Sequence, residues 1–255
     1  MRLSVVLVLA LALAGAAAQQ PIDPLVRPAE EGGQFSYTLT IGYAPSGRDG
    51  AAVNKDGLAY TYRRVSHALN LTLAGRYVAT PDLTIGVTLT PALAVSQEER
   101  TFADKYLQPI WRSRFDLAAS VQAELRIARD TPLDPRVAVT LAYPLSLGVS
   151  GGASLLRDPV VLSANLSASK TLDAPGAYLG VGLAAGLVAN QEITLSASLG
   201  MTLPIGVLDP PRTTIGLRVA HTLDPASGSE IAVRMELALA GAESRAGLAF
   251  ELSGR

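Results

Sequence analysis

The feature that most constrains this chain is a two-residue hydrophobic period, which runs through nearly all of it from Gln34 onward. Phe35, Tyr37, Leu39, Ile41 and Tyr43 alternate with Ser36, Thr38, Thr40 and Gly42, nine residues without an error. A strand sends successive side chains to opposite faces, whereas a helix would scatter both sets around its circumference, so the period dictates β structure. Comparable runs occupy residues 58–63, 69–77, 83–95, 111–127, 137–149, 160–167, 179–187, 193–203, 215–219, 231–239 and 247–252. With the first they make twelve. The 16 prolines and 23 glycines fit this pattern: interior proline costs a helix about 3 kcal/mol, but Thr80-Pro81-Asp82 and Asp173-Ala174-Pro175-Gly176 make good turns between strands. Only Ser96 to Leu107, with Glu98, Glu99, Asp104 and Lys105, breaks the rhythm, and it reads equally as a short helix or a long loop.

What lies opposite the aliphatic residues decides between two all-β folds. A soluble sandwich turns one sheet face to bulk water and clothes it with Lys, Glu, Asp and Arg. Here that face is mostly Ser, Thr, Gly and Ala, and charged residues make up only 17% of the chain. Such a surface suits the inside of a barrel whose aliphatic side meets lipid. Several runs reach ten residues or more, longer than the usual 5–6 of a globular strand and suited to a tilted membrane crossing. An even strand number and closure follow, because in lipid every strand donor and acceptor needs a partner. The expected fold is therefore an all-β, closed antiparallel transmembrane β-barrel of about 12 strands over residues 34–252. Ile85, Val87 and Leu89 would face lipid, and Tyr37, Tyr43, Tyr60, Tyr62, Tyr77, Phe115, Tyr143 and Phe250 would supply the interfacial aromatics. The alternative is a secreted soluble β-sandwich that binds a partner.

The N-terminus points the same way. Arg2, the apolar run Leu3 to Ala14 and the small residues Gly15 to Ala18 form the three parts of a secretory signal peptide. Residues 1–18 are expected to be removed, and 19–33, rich in proline and acid, to form an extended leader. N-terminal sequencing of the mature protein should return Gln19; recovery of Met1 would contradict this. The chain has no cysteine, which removes disulfides, thiolate chemistry and a lipoprotein anchor together.

Two stretches resemble known outer-membrane proteins. The segment Ala153-Ser154-Leu155-Leu156-Arg157-Asp158-Pro159-Val160-Val161-Leu162, continuing to Ser167, resembles one found in outer-membrane transporter-like barrels. That group includes relatives of the functional-amyloid secretion pore and barrels linked to catabolic operons. The resemblance implies twelve strands and a passive or secretion pore. It does not extend to amyloid export, since residues 19–33 are far too short for the long N-terminal coiled-coil segment of that pore. Near the C-terminus, Arg245, Gly247, Phe250 and Leu252 resemble the spacing of a barrel-assembly signal, with Ser253-Gly254-Arg255 in place of its terminal aromatic. That implies the barrel-assembly machinery as a partner.

Catalytic patterns are lacking. His67 and His221 each stand beside a turn with no ligand-spaced companion, and Val149-Ser150-Gly151-Gly152-Ala153 lacks the nucleophile-elbow spacing. No cofactor, metal or enzymatic activity is expected. The 21 Lys plus Arg against 22 Asp plus Glu give a formal net charge of −1, which does not favour nucleic acid. What remains is a lumen. Strand parity assigns to it Arg63, Arg76, Arg114, Asp116, Glu124, Arg126, Arg218, Arg234 and Glu236, together with Glu251. The expected function is an outer-membrane channel or transporter for passive movement of small solutes, its arginine-leaning wall favouring anions modestly. The expected partners are outer-membrane lipid and small solutes, with the oligomeric state left open. The alternative within the same fold is a closed structural barrel anchoring an envelope layer.

Overall fold

In the computed structural model the described residues are 33–254, apart from 56, 103–104, 129–130, 191, 225–226 and 242. The expected signal peptide and all but the last residue of the expected leader lie outside them. Twelve antiparallel strands close on themselves: β1 (Gln34–Val53), β2 (Ala59–Val78), β3 (Leu83–Phe102), β4 (Lys105–Arg126), β5 (Arg136–Tyr143), β6 (Ser146–Arg157), β7 (Val160–Thr171), β8 (Ala177–Val188), β9 (Ile193–Ile205), β10 (Arg212–Asp224), β11 (Ser229–Ala240) and β12 (Glu243–Gly254). Each strand pairs with its neighbours in sequence, and β12 returns to β1, with Tyr37 opposite Gly254 and Tyr43 opposite Leu248. The start of β1 and the end of β12 thus share one rim.

The strand total matches the sequence expectation through two compensating boundary shifts. Residues 58–63 and 69–77 form one continuous strand, β2, because Arg64, Val65, Ser66, His67 and Ala68 keep the ladder with β1 unbroken. The run 137–149 is instead two strands, since Pro144 and Leu145 reverse the chain between β5 and β6. Within Ser96 to Leu107, residues 96–102 and 105–107 are strand, neither helix nor loop. They form the far end of the β3–β4 hairpin, with Gln97 opposite Trp111 and Arg100 opposite Leu107, and a register shift between Glu98 and Arg100 absorbs an extra residue.

Apolar side chains lie on the outside of this molecule. Leu73, Val87, Leu141, Leu183 and Leu217 are all exposed on the outer face, whereas the largest side chain fully buried is Val161. Among the described residues the other buried hydrophobics are Val78 and alanines such as Ala138, Ala220 and Ala232, and they lie on the inner wall. A soluble protein of this size does not leave a continuous apolar band around its girth. A membrane barrel must. The band has aromatic margins: Phe35, Tyr37 and Tyr77 at the rim shared by the termini, and Tyr43, Phe115 and Tyr143 toward the other. From Phe35 to Tyr43 the strand rises about 26 Å, or roughly 20 Å along the barrel axis at the usual tilt. Phe250 lies between the margins, opposite Ile41. Tyr60 and Tyr62 are not in the belt, because the continuous β2 puts them in phase with Thr72 and Ala74 on the inner face.

β1 to β4 are 20 to 22 residues long, against 8 to 13 for the others. The excess lies entirely at the rim away from the termini. β1 leaves β12 at Tyr43 yet stays paired with β2 to Val53, and β4 meets β5 only from Ala119. A four-stranded sheet therefore rises past the barrel mouth by about 30 Å of strand. Its two free edges carry Pro45 on β1 and Pro109 on β4, which deny a complete hydrogen-bond row to another chain.

Candidate functional site

The candidate site is the inner wall, which strand parity divides sharply. β6 to β9 present only neutral residues to it, for example Ser150, Ser163, Ser167, Gly180, Ser196 and Thr202. Among the described residues the inward charge of the barrel is on the remaining strands and in the β4–β5 connection, and most of it is gathered into two ionic clusters.

The first cluster joins β2, β4 and β5 near the rim of the termini. Arg126 binds Asp134 at 2.6 Å, and Arg136 binds Asp134 at 2.5 Å and Glu124 at 2.8 Å. Arg76 reaches the same Glu124 at 3.7 Å. Asp134 stands in the β4–β5 connection. Its burial opposes ionisation, but the hydrogen bonds donated by Arg126 and Arg136 outweigh it and hold the carboxyl below the ordinary aspartate range. The second cluster joins β10, β11 and β12. Glu251, buried on the wall, accepts from Arg218 at 2.8 Å and pairs with Arg234 at 2.5 Å, and Arg218 also pairs with Glu230. The register explains the grouping: Arg218 sits directly opposite Arg234. Like charges face to face are destabilising unless an anion lies between them.

Arg76, Glu124, Arg126, Arg218 and Arg234 are thus on the inner wall and paired. Glu236 is inward and exposed, within electrostatic reach of Arg212. Arg114 and Asp116 pair with each other at 2.6 Å on the inner face where β4 rises above β5. Arg63 differs. In the continuous β2 it is in phase with Leu69 and Leu71, so it is exposed on the outer face of the protruding sheet, opposite Glu99. Four partners escaped the sequence reading. Arg136 alternates correctly with Ala138 and Thr140 but stands at a strand boundary. Asp134, Arg212 and Glu230 lie between the alternating runs, where the sequence offers no parity to place them.

Two asparagines are flattened against the wall by glycines. An added Cβ at Gly182 would collide with Asn165 Oδ1, and one at Gly42 would collide with Asn70 Oδ1. Each amide occupies the space where its neighbour would carry a side chain, and so stays out of the lumen. Gly182→Ala should push Asn165 toward the axis and lower conductance, and adding Asn165→Ala should restore it. Equal conductance in wild type and Gly182→Ala would show that this wall does not bound the permeation path.

On the protruding sheet, Glu98 is buried between Arg64 and Arg100. Burial resists its charge, but the two arginine hydrogen bonds prevail and hold its carboxyl below the ordinary value of 4.5. A folded value depressed in this way adds stability that is fully present above 4.5 and is lost as pH falls through the lower folded value. Amide exchange in β2 and β3 beyond the mouth should therefore accelerate on acidification below pH 4.5, while the barrel strands stay protected. Uniform acceleration throughout would contradict this.

Among the described residues no group of three His, Cys, Asp or Glu is placed to hold a metal ion. His67 accepts or donates at 2.7 Å to the Tyr43 hydroxyl on the outer face.

No protein-family model matches the chain, and no curated protein sequence does. Solved structures do. The chain is similar in fold to an outer membrane channel from Pseudomonas putida F1, at 16% identity and a TM-score of 0.55, covering 92% of this chain and 99% of that one. It is similar also to the transport unit of the autotransporter AIDA-I from Escherichia coli, at 9% identity and a TM-score of 0.57, covering 94% and 96%. A third likeness is to the CymD monoaromatic hydrocarbon channel, at 7% identity and a TM-score of 0.50, covering 93% and 92%. These likenesses show the fold, a closed antiparallel β-barrel. Nothing in them ties the chain to the amyloid secretion pores.

Proposed function

We propose that this barrel lies in an outer membrane and conducts small water-soluble solutes passively through its lumen. The observation that carries this reading is the state of the inner-wall charges. The side chains of Arg76, Glu124 and Arg136 keep 27–33% of their surface accessible although they lie inside a closed barrel. A lumen packed shut by its own side chains would desolvate them, at a cost that buried ion pairs repay poorly. The mechanism is diffusion, with the neutral wall of β6 to β9 leaving room and the paired charges opposite shaping the local potential. Three arginines against two carboxylates in the first cluster leave it cationic, so selectivity leans to anions. The barrel-assembly machinery remains the expected insertion partner, on the C-terminal spacing of Arg245, Gly247, Phe250 and Leu252.

Proteoliposomes containing the full chain should swell in a graded series of small solutes, faster for smaller ones. Folded protein that gives no swelling with any of them would favour the anchoring role instead. Glu124→Gln should move the reversal potential in a salt gradient further toward anions, most at low ionic strength, where screening is weak. An unchanged reversal potential would mean that the first cluster lies off the permeation path.

A further inference from the structure

The outer face of the protruding sheet continues the lipid-facing wall past its aromatic margin, and its composition changes there. Trp111 marks the change. From Phe115 to Trp111 on β4 is about 13 Å along the strand, or roughly 10 Å along the barrel axis at the usual tilt. The headgroup layer of a bilayer adds only about 5–7 Å to each side of the hydrocarbon. A leaflet of phospholipid alone would therefore leave Trp111 standing in water. Its side chain is not tucked away against the sheet: the residue is 63% exposed, and Tyr106, further along the same strand, is 81% exposed.

Two rows of residues cross this face beside the indole. In the nearer row, Trp111 is opposite Gln97, Gln97 opposite Val65, and Val65 opposite Gly47. An added Cβ at Gly47 would meet nothing within 4 Å, so the row is open on that flank. In the row beyond it, Arg63 has Asp49 opposite it on β1 and Glu99 opposite it on β3. Arg63, Val65, Gln97 and Glu99 together line a shallow cleft. Gln97 Nε2 donates to Glu99 Oε1 at 3.3 Å, which holds the amide beside the carboxylate. Among the described residues of the farther row, one guanidinium stands between two carboxylates, a balance that disfavours a phosphate. Neutral hydroxyls suit it, because each can both donate and accept.

We propose that this cleft and Trp111 dock the neutral saccharide headgroup of a glycolipid in the leaflet around the barrel. The face is continuous with the lipid-facing band, and it stands above the acyl chains at the height to which a sugar headgroup extends. Sugar hydroxyls donate to Glu99 and accept from Arg63 and Gln97. The indole packs on the apolar face of a sugar ring, an arrangement suited to a side chain with one apolar body and one polar edge. Outer-membrane barrels carry their longer hairpins on the external side, which assigns the site to the outer leaflet. The site lies outside the barrel, apart from the lumen, so it seats the protein among its lipids and does not select solutes. This inference rests on the membrane placement and not on conduction.

Trp111 is the only tryptophan of the chain, so its fluorescence reports on the site directly. The full chain is inserted into vesicles of phosphatidylcholine alone, of phosphatidylcholine with digalactosyl diacylglycerol, and of phosphatidylcholine with phosphatidylglycerol. Acrylamide in the aqueous phase should quench the glycolipid sample about twofold less efficiently than the other two, since a sugar packed on one face of the ring shields that face. Arg63→Ala with Glu99→Ala should return quenching to the phosphatidylcholine level although the tryptophan is untouched. Glu99→Gln, which keeps an acceptor, should retain most of the protection. Heat-modifiable, protease-resistant protein in each sample would confirm that the barrel has formed. Equal quenching in the glycolipid and phosphatidylcholine samples would overturn the proposal. So would stronger protection by phosphatidylglycerol, which would make the face a phosphate site, or full protection in the double variant, which would show that height alone shields the ring. Conductance without glycolipid protection removes the docking site and leaves the channel. Protection without conductance removes the channel and leaves the site.

Discussion

Leu73→Arg should nearly abolish stable insertion, while Thr72→Arg, one residue away, should be tolerated. Leu73 is an exposed outer-face residue of β2, flanked in register by Leu39 on β1 and Leu89 on β3. It lies midway along the ladder between the Phe35–Tyr77 row and the Tyr43–Leu69 row, and so near the centre of the apolar band. An arginine there costs about 2–4 kcal/mol, roughly a 30- to 1,000-fold shift in the folding equilibrium. Thr72 points inward, where its hydroxyl meets that of Thr90 at 3.1 Å, and an arginine at that position would enter a wall that already holds arginines. The check is the yield of heat-modifiable, protease-resistant protein in membranes. Similar yields for the two variants would mean that the two faces do not meet lipid and water as assigned.

The second large effect concerns Glu251. Its carboxylate is the shared partner of Arg218 and Arg234, whose own side chains are 15% and 22% accessible. Glu251→Gln leaves two opposed guanidinium groups with Glu230 as the remaining carboxylate of the cluster. Breaking a buried pair from one side costs about 3–5 kcal/mol. Water reaching the lumen argues for the low end, about 3 kcal/mol, or more than a hundredfold in the unfolding equilibrium. Urea unfolding from micelles should show this loss, and adding Arg234→Gln should recover a good part of it by removing the repulsion. A double variant no more stable than Glu251→Gln alone would show that Arg234 is not strained by the loss.

The fold was readable because parity is strict in a strand whose two faces meet different solvents. A one-residue slip would turn Leu69, Leu71 and Leu73 into the lumen and Asn70 and Thr72 into lipid, so the pattern tolerates no error there. Beyond the mouth neither face meets lipid. The constraint lapses, and the reading of Arg63, Tyr60, Tyr62 and Ser96 to Leu107 failed at that point. The alternation persists through Arg64 to Ala68, but polar and small residues on both faces hide it. Pro144 produced the opposite error, a reversal placed inside a run whose hydrophobic phase continues across it through Tyr143, Leu145 and Leu147. Inner-wall charges were readable one at a time from parity. Their partners were not, because Asp134 reaches Arg126 from a connection and Glu251 reaches Arg218 across an intervening strand, and neither relation leaves a periodic trace.

The channel reading is tested most directly by single-channel recording of the full chain in a planar bilayer. Discrete conductance steps in potassium chloride with a modest anion preference, growing as salt is lowered, are the predicted result. Folded, inserted protein that never conducts across repeated incorporations would contradict it.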